Sequence, residues 1–134
     1  MIKKFDADDV TIISVTYNSA HCLPALSEAL KSLKNVVIVD NASDDDIEVQ
    51  LQTALPSATL IRNAKNLGFG AANNRALATV NTPYALLLNP DCLPTPAFLA
   101  GLLQAAENFP DAAIIAPHLI RRDGSPEVRS KSVV

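Results

Sequence analysis

The sequence predicts a Rossmann-like α/β layer fold with a mainly parallel sheet, and three observations predict it. Short runs rich in β-branched and aliphatic residues recur along the chain, and stretches with apolar residues at helical spacing alternate with them. At 134 residues and 49% hydrophobic content the chain can build one packed core, and four glycines are too few for a disordered chain. Strands alternating with amphipathic helices imply right-handed βαβ crossovers and a sheet covered on both sides.

Each element has its own signal. "VTIISVTY" (10–17) is short and β-branched, as a strand buried on both faces is. Leu23, Leu26, Leu30 and Leu33 then share one helical stripe, with Ser19 placed to cap and Pro24 tolerable near the N-terminal end. "VVIVD" (36–40) is a second apolar strand ending at Asp40. Ser43 followed by Asp44, Asp45 and Asp46 reads as a cap and an acidic first turn, ahead of a helix that buries Ile47, Leu51 and Leu55. "ATLIR" (58–62) is a third strand and "NLGFG" a loop; Ala72, Ala76, Leu77 and Val80 mark a third helix whose small residues allow close approach. "YALLL" (84–88) is a fourth strand, Thr95-Pro96 a cap with a first-turn proline, and Phe98, Leu99, Leu102, Leu103 and Ala106 the buried face of a fourth helix. "AAIIAP" (112–117) predicts a fifth strand. No repeat, low-complexity tract or linker divides residues 1–134, so a single domain is expected.

Charge and cysteines narrow the function. A net charge of −3 disfavours nucleic acid and other polyanions as partners. Cys22 and Cys92 have no metal-ligand spacing and suit free thiols in a reducing compartment, so the cytoplasm is the expected location. The N-terminal lysines are followed by acids, and no apolar run approaches a membrane span.

In parallel α/β sheets ligands bind beyond the carboxyl ends of the strands. There the sequence places Thr16, Tyr17 and Asn18 after the first strand, Asp40 and Asn41 after the second, and Asn89 and Asp91 after the fourth. Singly, such residues make turns and caps. Gathered at one rim, they point to a ligand. A dinucleotide fingerprint is absent, because "TYNSAHC" carries no glycine after the first strand and "GFGAAN" comes after the third and lacks the last glycine. No P-loop exists. "DNASDDDIEVQL" is no calcium loop, since Ala42 stands at a ligand position and no glycine supplies the turn. His21 and His118 lack neighbours at ligand spacing and are assigned no role.

"ISVTYNSAHCL", "VIVDNASDD", "NAKNLGFGAANNRAL" and "YALLLNPD", in that order, resemble the N-terminal half of a family 2 glycosyltransferase of the GT-A fold, and most of all its rhamnosyltransferase-like members. The resemblance covers nearly the whole chain. It implies a sheet order of 3-2-1-4, with Thr16, Asp40 and Asp91 at the switch point between the first and fourth strands. It further implies that Thr16, Tyr17, Asn18, Asp40 and Asn41 hold the nucleobase of a UDP- or dTDP-sugar. A carboxylate can accept the imide N–H of uracil or thymine while a tyrosine ring packs on the base. Asn66 and Gly68 in the following loop, where Gly70 too leaves room for a ligand, and Asn73 and Asn74 on the helix fall beneath the donor.

"NPD" occupies the family's DxD position, so Asp91, with Asn89, is the implied ligand of a divalent Mg or Mn ion bridging the donor diphosphate. Asn89 departs from the pattern, leaving one charged ligand where the motif has two, and weak metal affinity without donor is expected. The implied reaction is metal-assisted, inverting transfer of a sugar, with rhamnose as the candidate, to a glycan or lipid-linked acceptor. A lipid-linked acceptor would place the work at the inner face of the membrane. The family's general base lies in a later segment. The chain is therefore expected to be a fragment whose base lies beyond Val134, inactive alone and prone to self-association through the face its missing half would cover. The alternative is a nucleotide-sugar-binding module without transfer. A haloacid-dehalogenase-type phosphatase is excluded, because Asn89 cannot form its aspartyl-phosphate. A receiver domain fits poorly, because Asp8 and Asp9 precede the first strand and no lysine follows "AAIIAP" closely.

Overall fold

Every residue of β1 (Val10–Thr16) is buried in the computed structural model, which describes residues 4–127. β2 (Val36–Asp40), also buried throughout, runs parallel to β1 on one side. β4 (Tyr84–Leu87) runs parallel on the other, and β3 (Thr59–Arg62) completes the order β3-β2-β1-β4 that the sequence predicts. The central strands are buried along their whole length because both of their faces are covered, and the polar residues among them, Thr11, Ser14, Thr16 and Asp40, are buried with the rest. The two edge strands are only partly buried.

Three helices cover one face. α1 (Leu23–Leu30), α2 (Ile47–Ala54) and α4 (Pro96–Asn108) bring Leu23, Leu26, Leu30, Ile47, Leu51, Leu99 and Leu103 onto Val10, Ile12, Val36 and Ile38. Truncating any of these leucines to alanine would cost about 2–5 kcal/mol. Thr95 caps α4 as expected, accepting the Phe98 N–H at 3.1 Å, with Pro96 in the first turn. α3 (Phe69–Leu77) lies on the other face, where Ala72 and Ala76 meet Ile13, Val15, Val37 and Val39. It leaves the β4 end of that face bare. Leu87, in register with Ile13, is 45% exposed.

Several local expectations are corrected. Residues 112–117 form no strand: the Ala112 N–H turns back to Phe109 O at 3.0 Å, and Ile114 is 88% exposed. A β-branched run becomes a strand only with a ladder partner. Ser19 caps nothing. It precedes a 3₁₀ turn (Ala20–Cys22) and its hydroxyl donates to Tyr17 O at 3.0 Å, while the Ala20 N–H is taken by Asp45 Oδ2 at 2.8 Å. Ser43 is no helix cap either, because α2 begins only at Ile47. Leu33 and Val80 lie past their helices yet pack on the cores. Gly70, expected in a loop, belongs to the first turn of α3. No helix among the described residues is long and apolar enough to cross a membrane.

Candidate functional site

The parallel register sets Thr16 beside Asp40, so the ends of β1 and β2 form one rim, and Leu88 N–H donates to Ile13 O at 2.8 Å to carry β4 toward the same end. Tyr17 emerges from β1 with half its surface exposed, at 49%. Asn18 and Ala42 are the described non-glycine residues with positive φ, +51° and +66°, and they follow β1 and β2 respectively. Backbone strain of this kind costs about 1–2 kcal/mol per residue and persists where the surroundings hold it. Here the surroundings are hydrogen bonds between the two loops. The Asn18 N–H donates to Ser43 Oγ at 2.9 Å, and Asn18 Oδ1 accepts the Asp44 N–H at 2.8 Å.

Asp40 is 1% exposed. Its Oδ1 accepts the Ser43 N–H at 3.1 Å, a contact the bend at Ala42 allows. Its Oδ2 is buried without a hydrogen-bond partner, and Arg62 Nε lies 3.7 Å away, within ion-pair range but too far for a hydrogen bond. Arg62 is in turn paired with Glu48. Asp45 Oδ1 is likewise buried and unpartnered.

Asn41 is buried and spends its whole carboxamide inside the chain. Its Oδ1 accepts from Asn63 Nδ2 at 2.9 Å and from the Leu67 N–H at 3.0 Å, and its Nδ2 donates to Asn66 Oδ1 at 2.8 Å and Gly68 O at 3.5 Å. Asn66 Oδ1 also accepts the Gly68 N–H at 2.9 Å. Gly68, at φ +79°, enters α3 in a conformation other residues rarely adopt, and a Cβ there would meet open space. Asn73 points inward, its Nδ2 donating to Phe69 O at 2.9 Å, whereas Asn74 is exposed.

The β4 end is sparser. Asn89 and Asp91 are exposed, the Cys92 N–H donates to Asn89 O at 3.0 Å, and Cys92 Sγ lies 3.7 Å from Asp91 Oδ1. Partial burial, and then the Asp91 charge and hydrogen bond, push the Cys92 thiol above its ordinary value. Among the described residues no three His, Cys, Asp or Glu side chains gather as a metal cage. Asp91 and Asn89 offer hard oxygen donors open to solvent, a set that suits Mg or Mn when phosphate oxygens supply the rest.

Sequence reasoning passed over Asn63 and Arg62. The rule that singled out polar residues ending the other three strands, applied to β3, finds both.

The architecture is that of a parallel α/β layer of order β3-β2-β1-β4 flanked by helices, with its polar rim at the carboxyl ends of the strands. The chain belongs to glycosyl transferase family 2, whose model matches residues 11–133. It is 28% identical over 133 residues to an N-acetylglucosaminyl-diphospho-decaprenol L-rhamnosyltransferase of Mycobacterium tuberculosis, a match covering 88% of this chain and 43% of that protein. It is 27% identical over 125 residues to the low-salt glycan biosynthesis hexosyltransferase Agl10 of Haloferax volcanii, covering 89% of this chain and 39% of that one. Among solved structures, S. aureus TarS 1-349 superposes with a TM-score of 0.55 at 25% identity, over 76% of this chain and 32% of that chain. The chain thus spans less than half the length of the curated relatives it matches.

Proposed function

We propose that residues 1–134 form the single nucleotide-sugar-binding domain of a glycosyltransferase that moves a sugar, with inversion, from a UDP- or dTDP-sugar to a glycan or lipid-linked acceptor. The observation that carries this reading is Asp40: a buried carboxylate whose Oδ2 has no hydrogen-bond donor, one register step from the half-exposed ring of Tyr17. Buried acceptors are rarely left unpaired, and an imide N–H is the donor that would complete this one. Access to Oδ2 requires a neighbour to yield, and Arg62, a long side chain more than half exposed, is the one paired with it.

In this reading Asp40, Thr16 and Asn18 shape the base pocket and Tyr17 stacks. The backbone at Gly68 makes room for the ribose and diphosphate, and Asn74, with the second N–H of Asn73, faces them from α3. Asn41 and Asn66 act through the loop they hold. Asp91 and Asn89 would hold a divalent cation, Mg or Mn, whose chemistry is to stabilise the leaving nucleoside diphosphate. The mycobacterial relative's name makes an L-rhamnosyl donor and a diphospho-lipid acceptor the first pair to test. With such an acceptor the domain would work in the cytoplasm, at the inner face of the membrane. Exposed apolar side chains, Leu87 among them, support self-association of the chain, to be read as concentration-dependent mass in light scattering.

Calorimetry with UDP, dTDP, CDP and ADP tests the base assignment. UDP and dTDP should bind in the presence of Mn²⁺, with CDP and ADP at least about tenfold weaker, the weight of one charge-assisted hydrogen bond. Equal affinity for all four would reject it. Asp91→Ala should abolish the Mn²⁺ dependence of UDP binding.

A further inference from the structure

Three side-chain amides stand in series across the ends of β2 and β3. Asn63, 1% exposed, donates from Nδ2 to Asn41 Oδ1 at 2.9 Å; Asn41 donates from Nδ2 to Asn66 Oδ1 at 2.8 Å; and the series is read at its end by two backbone N–H groups, Leu67 on Asn41 Oδ1 and Gly68 on Asn66 Oδ1. An amide offers an acceptor on one side and donors on the other, so a row of them can run in either direction. Something must set the direction. At one end the Leu67 and Gly68 N–H groups favour it, and at the other Arg75, on α3, enforces it, donating from Nη1 to Asn63 Oδ1 and also to Arg62 O at 3.4 Å.

A guanidinium has no acceptor and keeps its charge, so it can face only the oxygen of Asn63. That turns the Asn63 NH₂ group toward Asn41, the Asn41 oxygen toward Asn63 and Leu67, and the Asn41 NH₂ group toward Asn66. With the row reversed, NH₂ groups would confront the Leu67 and Gly68 N–H groups, and both of those bonds would be lost. The frame behind the row is fixed, since the Asn63 N–H donates to Asp40 O at 2.9 Å and the Asn41 N–H to Thr16 O at 2.8 Å.

We infer that Arg75 and Asn63 are positioning residues: Arg75 locks the polarity of the amide row from the Asn63 end, the row fixes the 66–68 loop at the entry to α3, and the loop presents the donor pocket. Neither residue touches the donor. The step from loop to donor rests on the function proposed above; the step from Arg75 to the loop does not. α3 and the ends of β2 and β3 thereby act as one unit, and a shift of α3 would be transmitted to the Gly68 backbone.

Arg75 is exposed, so its variants should keep the fold, with far-UV circular dichroism as the check. Amide hydrogen exchange at Leu67 and Gly68, resolved by NMR, reads the row without any ligand. Arg75→Ala should speed it by roughly tenfold, and Arg75→Lys, still a pure donor, should restore most of the protection. Arg75→Glu, a pure acceptor, should speed exchange more than Arg75→Ala, a difference that simple loss of packing does not produce. UDP affinity should fall by roughly three- to tenfold in Arg75→Ala and recover in Arg75→Lys. Unchanged exchange in Arg75→Ala, or equal exchange in the Lys and Glu variants, overturns the relay. If the parent chain binds neither UDP nor dTDP, the donor reading fails, and the exchange measurements still decide the relay.

Discussion

The two halves of the rim are built to different standards. At the β1–β2 end the polar groups are cross-linked, with Asp40, Asn41 and Ser43 buried: Asp40 takes the Ser43 N–H, Asn18 at the surface clasps Ser43 and Asp44, and Asn41 fills all four of its hydrogen-bonding places. At the β4 end Asn89 and Asp91 stand in solvent with little around them but Cys92. The first half is preorganised and carries the positive-φ residues Asn18 and Ala42. In the second, among the described residues, the Asp91 carboxylate is held only by its neighbour's thiol, Cys92 Sγ at 3.7 Å. Shape selectivity needs a rigid partner, whereas binding a hydrated cation through one carboxylate tolerates a mobile one, because the cation's remaining oxygens arrive with the ligand. Under the function proposed above, the rigid half would be the base pocket and the open half the cation site.

The sharpest way to break the comparison is to remove a buried amide. Asn41→Ala leaves Asn63 Nδ2 and the Leu67 N–H without their acceptor, and should cost about 2–3 kcal/mol, or a melting temperature lower by about 10 °C. Asp91→Ala should change stability by less than about 0.5 kcal/mol, as exposed substitutions do. Similar losses in urea denaturation of the two variants would dissolve the distinction between the halves.

Next in size is Asp40→Ala. A half-satisfied buried carboxylate stabilises little, since its desolvation offsets its one hydrogen bond and its distant ion pair. The change in stability should therefore stay within about 1 kcal/mol while UDP affinity falls about tenfold or more. A variant that unfolds, or one that binds UDP as the parent does, would show Asp40 to be structural.

Ala42→Gly probes the strain on the same side. The native φ of +66° costs an alanine what a glycine does not lose, so the variant should gain about 1 kcal/mol in chemical denaturation. Destabilisation would mean that the bend is not strained.

How far the sequence carried this reading depends on what each signal measures. The four parallel strands were legible because a central strand favours short runs rich in β-branched residues without charge inside them, which "VTIISVT" and "VVIV" display, and the helices because leucine spacing at Leu23, Leu26 and Leu30 has one period only. Residues 112–117 show the limit: the run is apolar, but pairing is a property of the neighbour, and no sequence pattern reports it. Ser19 and Ser43 mark a second limit. Each has the chemistry of a cap and sits near a helix, yet Asp45 and Asn18 compete for the same groups from another loop. The rim residues were legible as a class, since strand-end Asp and Asn are few. Whether such a residue faces a ligand, as Asn74 is free to, or holds a loop, as Asn41 and Asn63 do, depends on partners 22 and 26 positions apart in the chain.

The smallest effect expected reads the open half of the rim through Cys92. Its thiol is held above the ordinary value by partial burial first, and then by the charge and hydrogen bond of Asp91. A raised value means less thiolate at a given pH, and thiolate is the form that reacts, so Cys92 should alkylate more slowly than an unperturbed thiol near pH 8. Asp91→Ala removes the second and third causes and leaves the first. Cys92 should then react faster, by roughly two- to fourfold, and its midpoint should move down without returning fully. Cys22, in the 3₁₀ turn that follows β1 and distant from Asp91 in the sequence, provides the internal reference and should not change. Mass spectrometry of iodoacetamide-labelled peptides separates the two sites. A Cys92 rate that ignores the loss of Asp91 would mean that the carboxylate spends its time turned away from the sulfur, and the β4 end would then be looser still than its exposed side chains indicate.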